Sequence, residues 1–264
     1  MDLIIFISLV GALGIGITLG LIGGGGSILT VPIFVYLLGI DPHIATAYSL
    51  FVVGITSLAA SFRNAQKKLI SYKTGLVFAF PAFIVVFIIR KYVLPAIPDT
   101  IFSSGDFVLL KPVALMLFFA VVMLLASVSM ILGRKDLAEE LPEDFNYPVI
   151  FLQGTVVGLI TGMVGAGGGF LIIPALVLLA RLPIKRAVAT SLMVIAINSL
   201  FGFIGDVQSI EIDWSFLLTF TGVSICGIYI GMSFSNKIDS KKLRKIFGWF
   251  VLFMGIYIIL REII

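Results

Sequence analysis

The stretch "GLIGGGGSILTVP", Gly20 to Pro32, is written a second time as "GMVGAGGGFLIIP", Gly162 to Pro174. A single ungapped offset of 142 residues pairs Gly16 with Gly158, Gly20 with Gly162, and Gly23, Gly25 and Gly26 with Gly165, Gly167 and Gly168. The register continues beyond the glycines. Leu29, Pro32, Ala45, Ala47, Ser49 and Leu50 meet Leu171, Pro174, Ala187, Ala189, Ser191 and Leu192, while Ser57 and Gln66 meet Ser199 and Gln208. Coincidence between two leucine-rich segments would give apolar matches, whereas matched Gly, Pro, Ser and Gln indicate an internal duplication. The repeats are 1–133 and 148–264, joined by the polar linker 134–147, "RKDLAEELPEDFNY".

Composition sets the solvent. The chain of 264 residues is 60% hydrophobic and 12% charged, with a mean hydropathy of +1.19, which is the composition of a membrane protein. Apolar stretches fall near 3–22, 28–39, 44–62, 74–94, 108–132, 148–164, 169–180, 187–204, 215–234 and 246–260. Most approach the roughly 20 residues that cross a hydrocarbon core of about 30 Å. The 28–39 and 169–180 stretches reach only about 18 Å as helix, half a membrane. The expected fold is all-α: a polytopic membrane protein of about 8–10 transmembrane or half-membrane helices. The N-terminal run has Asp2 and no Lys or Arg ahead of it, so it reads as a membrane helix rather than a cleaved signal. The lone Cys226 offers neither a disulfide nor a thiolate metal site within one chain.

Charge supplies the topology. The formal charge of +4 resides in short loops, where the positive-inside rule accounts for it without nucleic acid. "GIDPH" after the first short segment has no Lys or Arg, but its partner "RLPIKR" has Arg181, Lys185 and Arg186. In the next pair the bias reverses: "RNAQKKLISYK" holds Arg63, Lys67, Lys68 and Lys73, and "DVQSIEIDW" holds none. Equivalent loops of opposite bias are the mark of inverted-topology repeats. Inversion needs an odd number of crossings per repeat, which holds if each glycine-broken pair is a hairpin beside three ordinary spans. Loops 63–73, 134–135, 181–186 and 237–245 then place 14 of the 18 Lys and Arg residues in the cytoplasm, with both termini on the opposite side. Arg90, Lys91 and Lys111 are exceptions to this bias.

Irregular backbone at membrane depth is tolerated only where it is buried in protein or lines a cavity, and glycine suits it by exposing its N–H groups. A half-helix starting near Ser27 or Gly169 would aim its free N–H groups and its positive dipole end at the occupant, which should be an anion. The candidate substrate-binding residues are therefore Gly23, Gly24, Gly25, Gly26 and Ser27 from one loop and Gly165, Gly167, Gly168 and Gly169 from the other. Ser49, Thr190 and Ser191 add hydroxyls from the following helices. The GxxxG spacings at Gly16/Gly20, Gly158/Gly162 and Gly227/Gly231 are read instead as close helix packing.

The twin glycine motifs, the "ATAYSL" and "AVATSL" that follow them, and the "IDW" at Ile212 to Trp214 resemble the sulfite exporter TauE/SafE family of membrane permeases. The resemblance covers nearly the whole chain. It implies a multi-pass protein of the bacterial cell (inner) membrane that moves small sulfur-containing anions such as sulfite, organosulfonates or thiosulfate. The first repeat departs from the pattern, with "ISY" at Ile70 to Tyr72 in place of "IDW".

Rival classes explain less. A membrane hydrolase needs a nucleophile with a base, yet the lone His43 falls at a loop, and no apolar span has Asp or Glu near its centre. A cation or metal-ion transporter would line its path with carboxylates, and Asp206, Glu211 and Asp213 fall at a span end, where a solvated loop is expected. The expectation is a secondary transporter, not an enzyme, with a small anion and the lipid bilayer as partners and neither cofactor nor metal. The coupling ion is not legible, and a homo-oligomer is compatible with the sequence. On this topology, cysteines placed at Lys68 and Lys242 in a Cys226→Ser background should resist an impermeant thiol reagent on intact cells. Cysteines at Pro42 and Gln208 should react, and labelling of positions 42 and 185 from one side would contradict inversion.

Overall fold

The computed structural model describes residues 2–104, 107–132, 147–178, 182–235 and 240–263. The linker 134–147 lies outside them apart from Tyr147. Without water to satisfy the backbone, apolar chain of this length must wind into helices. Helix α1 (Asp2–Ile22) leads into a 3-10 segment, Gly23–Leu29, and a return arm through α2 (Thr30–Pro32) and a π turn, Ile33–Leu37. Then come α3 (Pro42–Gln66) and α4 (Tyr72–Ile88), which runs on through a π turn (Ile89–Val93) to α5 (Leu94–Ala96). A small antiparallel hairpin of β1 (Thr100–Ser104) and β2 (Phe107–Leu110) precedes α6 (Lys111–Leu132). The second repeat has α7 (Tyr147–Val164), the short α8 (Gly169–Leu178), α9 (Ile184–Asp206), α10 (Trp214–Phe234) and α11 (Ser240–Ile263). Eight segments of the described residues are long and apolar enough to cross a membrane, so the protein is an all-α polytopic membrane protein. Large apolar side chains point outward on several of these helices, among them Phe6, Leu125, Ile246 and Phe253, each more than 60% exposed, as lipid contact requires.

The first of the eight segments, Phe6–Leu37, is not one crossing. Gly23 has φ +75°, and the chain doubles back: a Cβ on Gly26 would lie 2.5 Å from Leu19 N, and one on Gly11 would lie 3.3 Å from Ile33 Cγ2. In the second repeat Gly165, Gly167 and Gly168 take φ of +73°, +68° and +67°, and Gly168 abuts Thr161. The break differs from expectation in one respect. The first loop winds as 3-10 helix from Gly23 rather than starting a half-helix at Ser27, because four glycines without Cβ tolerate the eclipsed i, i+3 geometry. α8 does begin at Gly169.

Contacts recur at the offset of 142 seen in the sequence. Gly16 packs on Ser224 and Gly158 on Ala82; Gly20 packs on Gly231 and Gly162 on Ile89; Gly23 packs on Val188 and Gly165 on Thr46. Each partner in the first repeat is thus replaced by its equivalent in the second. α1 lies along α10 and α7 along α4, each helix against one from the other repeat. The equivalent helices α3 and α9 pack antiparallel, with Gly54 against Leu200 and Gly202 against Leu50. They are also the most buried spans, with 72% and 67% of their central residues inside the protein, against 28–44% for the rest.

Helix α1 meets α10 glycine to glycine: a Cβ on Gly16 would stand 2.9 Å from Gly227 Cα, and one on Gly20 2.9 Å from Gly231 Cα. Such contact is close van der Waals packing that side chains would prevent. Gly16→Ala and Gly227→Ala should each cost about 1–3 kcal/mol on unfolding in mixed micelles. Gly14→Ala and Gly222→Ala, where a Cβ meets nothing within 4 Å, should lie within roughly 0.5 kcal/mol of the parent. Equal stability of all four would contradict the contact.

Candidate functional site

The tips of the two hairpins touch. A Cβ on Gly24 would lie 2.6 Å from Gly169 Cα, and the Gly24 carbonyl is as close to Gly169. Around this junction the two loops are unequal. In the 3-10 segment the N–H groups are turned to i→i+3 carbonyls, ending with Thr30 donating to Ser27 O. In the second loop Gly165 N donates to Thr161 O, and Leu171 and Ile172 both donate to Gly168 O. Between them, the N–H groups of Ala166, Gly167 and Gly168 have no acceptor among the described residues, although all three residues are buried. A buried unpaired N–H costs about 1–3 kcal/mol, so three in succession strongly favour an occupant that supplies acceptors.

Side chains near this loop are donors as well. A Cβ on Gly167 would fall 3.0 Å from Ser199 Oγ and 2.7 Å from Val53 Cγ1, so both α3 and α9 pack against the loop. Ser199 and Thr161, which abuts Gly168, are fully buried with unpartnered hydroxyls. Among the described residues no group of three or more His, Cys, Asp and Glu is placed to hold a metal ion.

The residues singled out in the sequence are distributed as follows. Gly24 and Gly169 form the tip contact, Gly23 faces Val188, Gly25 faces Ile22, Gly26 packs on α1, and Gly165, Gly167 and Gly168 form the open loop. Ser27 donates to Gly24 O and Ser191 to Val188 O, so each hydroxyl proton is already engaged. Ser49 is fully buried with no partner. Thr190 Oγ1 accepts from Ser71 N at 2.9 Å, and at the equivalent place Tyr48 Oη accepts from Asp213 N at 2.7 Å. Phe34 of the return arm and Phe216 of α10 pack against the Tyr48 ring, and Phe220 packs behind both of them.

Two residues require correction. Asp206, expected in a solvated loop, is fully buried at the end of α9, and Arg90, read only as a loop cation, is fully buried in the π turn after α4. They form an ion pair, Arg90 Nη1 to Asp206 Oδ2 at 3.0 Å. Arg90 Nη1 also donates to Thr46 Oγ1 at 3.0 Å, and Thr46 in turn donates to His43 O. α9 runs past its apolar stretch and brings Asp206 inside, whereas Arg90 falls within the 74–94 stretch itself. No spacing in the chain pairs residues this far apart. Next to the pair is a cavity of about 360 Å³ lined by Asp41, His43, Asp99, Lys111 and Ser209, among others. The turn after the return arm and the turn after α9 therefore lie at the same end of the bundle.

Interlaced apolar helices around glycine turns with free backbone donors are the architecture of a polytopic membrane transporter, and the relatives carry that description. The sequence model of the sulfite exporter TauE/SafE family matches residues 7–258, and the chain belongs to that family. A probable membrane transporter protein of Xylella fastidiosa is 28% identical over 255 residues, covering 94% of this chain and 92% of its own length. Probable membrane transporter protein YunE of Bacillus subtilis is 26% identical over 263 residues, covering 90% and 91%. A probable membrane transporter protein of Methanocaldococcus jannaschii is 34% identical over 116 residues, 42% of this chain and 43% of its own. No solved structure matches.

The paired bonds at Tyr48 and Thr190 give a test of the equivalence between repeats. Tyr48→Phe and Thr190→Val each leave one backbone N–H without its acceptor, and each should lower stability by about 1–2 kcal/mol. A silent substitution at one position and a costly one at the other would show that the two bonds are not equivalent.

Proposed function

We propose that the protein is a secondary transporter of small sulfur-containing anions, of the class of sulfite, organosulfonates and thiosulfate, in the cell membrane. The observation that carries this reading is the run of unpaired, buried N–H groups at Ala166, Gly167 and Gly168. A cation finds no favourable partner in N–H groups, whereas an oxyanion supplies the acceptors they lack. The unpartnered hydroxyls of Ser199 and Thr161 can donate to the same oxyanion. The family's description supports sulfite as a substrate of the class.

The mechanism follows from the packing. The repeats are read as inverted about an axis between α3 and α9, in accord with their antiparallel contact and with the contacts that recur at equivalent positions. Transport is then a rocking of one set of helices against the other around the touching hairpin tips, exposing the loop to each side in turn. The helix dipole of α8 adds about 0.3–1 kcal/mol, too little to strip a small anion of its water. The substrate therefore stays partly hydrated and binds weakly, which suits release on the far side.

Efflux of sulfite from proteoliposomes of purified protein tests this reading. Gly167→Val, whose side chain would enter the space between Val53, Ile195 and Ser199 and meet a positive φ, should abolish flux while the protein still inserts. Gly25→Val, in the wound loop, should also impair flux by crowding Ile22 and distorting the 3-10 turn. Ser49→Ala, which removes an unpartnered hydroxyl, should weaken binding roughly fivefold, about 1 kcal/mol. Ser191→Ala should have a smaller effect, because its proton is already given to Val188 O. Normal flux in both valine variants, or flux of cations indifferent to the anion, would refute the proposal.

A further inference from the structure

The Arg90–Asp206 pair has a use beyond stability. A buried ion pair offsets its desolvation only when its remaining donors and acceptors are also satisfied. Here a single bond of 3.0 Å joins the two, while Arg90 Nε and Nη2 and Asp206 Oδ1 have no partner. Guanidinium and carboxylate are shaped for two parallel bonds, and this pair makes one. The guanidinium thus keeps an open fork suited to a planar or trigonal face of oxygens.

Its place in the fold is as telling as its chemistry. On one side Arg90 Nη2 abuts Gly165, which opens the loop bearing the unpaired N–H groups, and Gly205 lets the Arg90 Cβ approach α9, 2.9 Å from where a glycine Cβ would sit. On the other side is the cavity. Two of its lining residues are bonded toward the pair: Ser209 donates to Asp206 O from both N and Oγ, and His43, one step further, accepts through its O from Thr46, the other partner of Arg90. The pair thus stands between residues that line the cavity and Gly165 at the mouth of the loop. Ionisable residues buried at membrane depth are costly and are kept where they act on a pathway.

We propose that the Arg90–Asp206 pair is a gate between this cavity and the glycine loop, opened when an oxyanion takes the place of Asp206 on the Arg90 guanidinium. The idea rests on the anion reading above. The exchange keeps one anionic oxygen on the guanidinium, the displaced Asp206 carboxylate turning toward the cavity that Lys111 lines, and it lets the free Nε and Nη2 engage the incoming group. Closing restores the bond to Asp206 and delivers the anion to the N–H groups of Ala166 to Gly168.

The test uses Val53→Cys in a Cys226→Ser background, because the Val53 side chain adjoins Gly167 behind the gate. The rate of labelling by a small charged methanethiosulfonate, applied from the cavity side, reports opening without requiring transport. Adding Asp206→Asn should raise that rate about tenfold or more, and saturating methanesulfonate should raise it with the pair intact. Arg90→Lys keeps the charge but loses the fork, and should abolish the response to methanesulfonate. The double variant Arg90→Met with Asp206→Leu leaves no unpaired charge, so it should fold, stay closed and lose sulfonate flux. Unchanged labelling in Asp206→Asn overturns the gate, and so does a full methanesulfonate response in Arg90→Lys or normal flux in the double variant. A protein that moves no sulfur oxyanion but labels faster in Asp206→Asn would keep the gate and sink the substrate class. Sulfite flux with unchanged labelling would do the reverse.

Discussion

Inside a bilayer, each backbone N–H must find an acceptor within the protein or in what the protein carries. Among the described residues helices meet most of this demand, and at Ala166, Gly167 and Gly168 three N–H groups are buried and unpaired. The remaining architecture is arranged around that departure. Hairpins bring the glycine turns together, the most buried helices α3 and α9 cover them, and the ends of α4 and α9 place a charged layer beside Gly165.

Pseudo-equivalence of the repeats is close in packing and loose in chemistry. The contacts of Gly16, Gly20 and Gly23 recur at Gly158, Gly162 and Gly165, and even the bond from Asp213 N to Tyr48 has its counterpart from Ser71 N to Thr190. The loops themselves differ, because "GGGGS" winds as 3-10 helix while "GAGGG" takes positive φ at three glycines. One loop thereby satisfies its own donors and the other offers them. The charged layer is likewise one-sided: at the position equivalent to Arg90 the second repeat has Met232, and at that equivalent to Asp206 the first has Asn64. A carrier whose two faces meet different solutions has use for such asymmetry.

Much of this is legible in the sequence. Spans of about the membrane thickness, the two glycine breaks and the offset between repeats follow from hydropathy, glycine clustering and side-by-side comparison. The site is legible only in part. Gly167 and Gly168 are marked by glycine density, but no sequence pattern distinguishes a loop that winds from one that stays open. Ser49, Ser191 and Thr190 share a repeat register and yet have three fates, unpartnered, bonded to Val188 O, and accepting from Ser71 N. Asp206 was hidden because α9 extends past its apolar stretch, and both residues because the pair is made between repeats. Such a contact depends on tertiary packing, and periodicity along one chain does not report it.

Location of a bound heavy analogue addresses the central claim most directly. Selenite has the shape and charge of sulfite and an atom that scatters anomalously, so crystals of the protein grown with it can show where the anion rests. The account predicts a peak within hydrogen-bonding distance of the N–H groups of Ala166, Gly167 and Gly168 and of Ser199 Oγ, lost in Gly167→Val. A peak confined to a surface loop, or a glycine loop without selenite at saturating concentration, would contradict it.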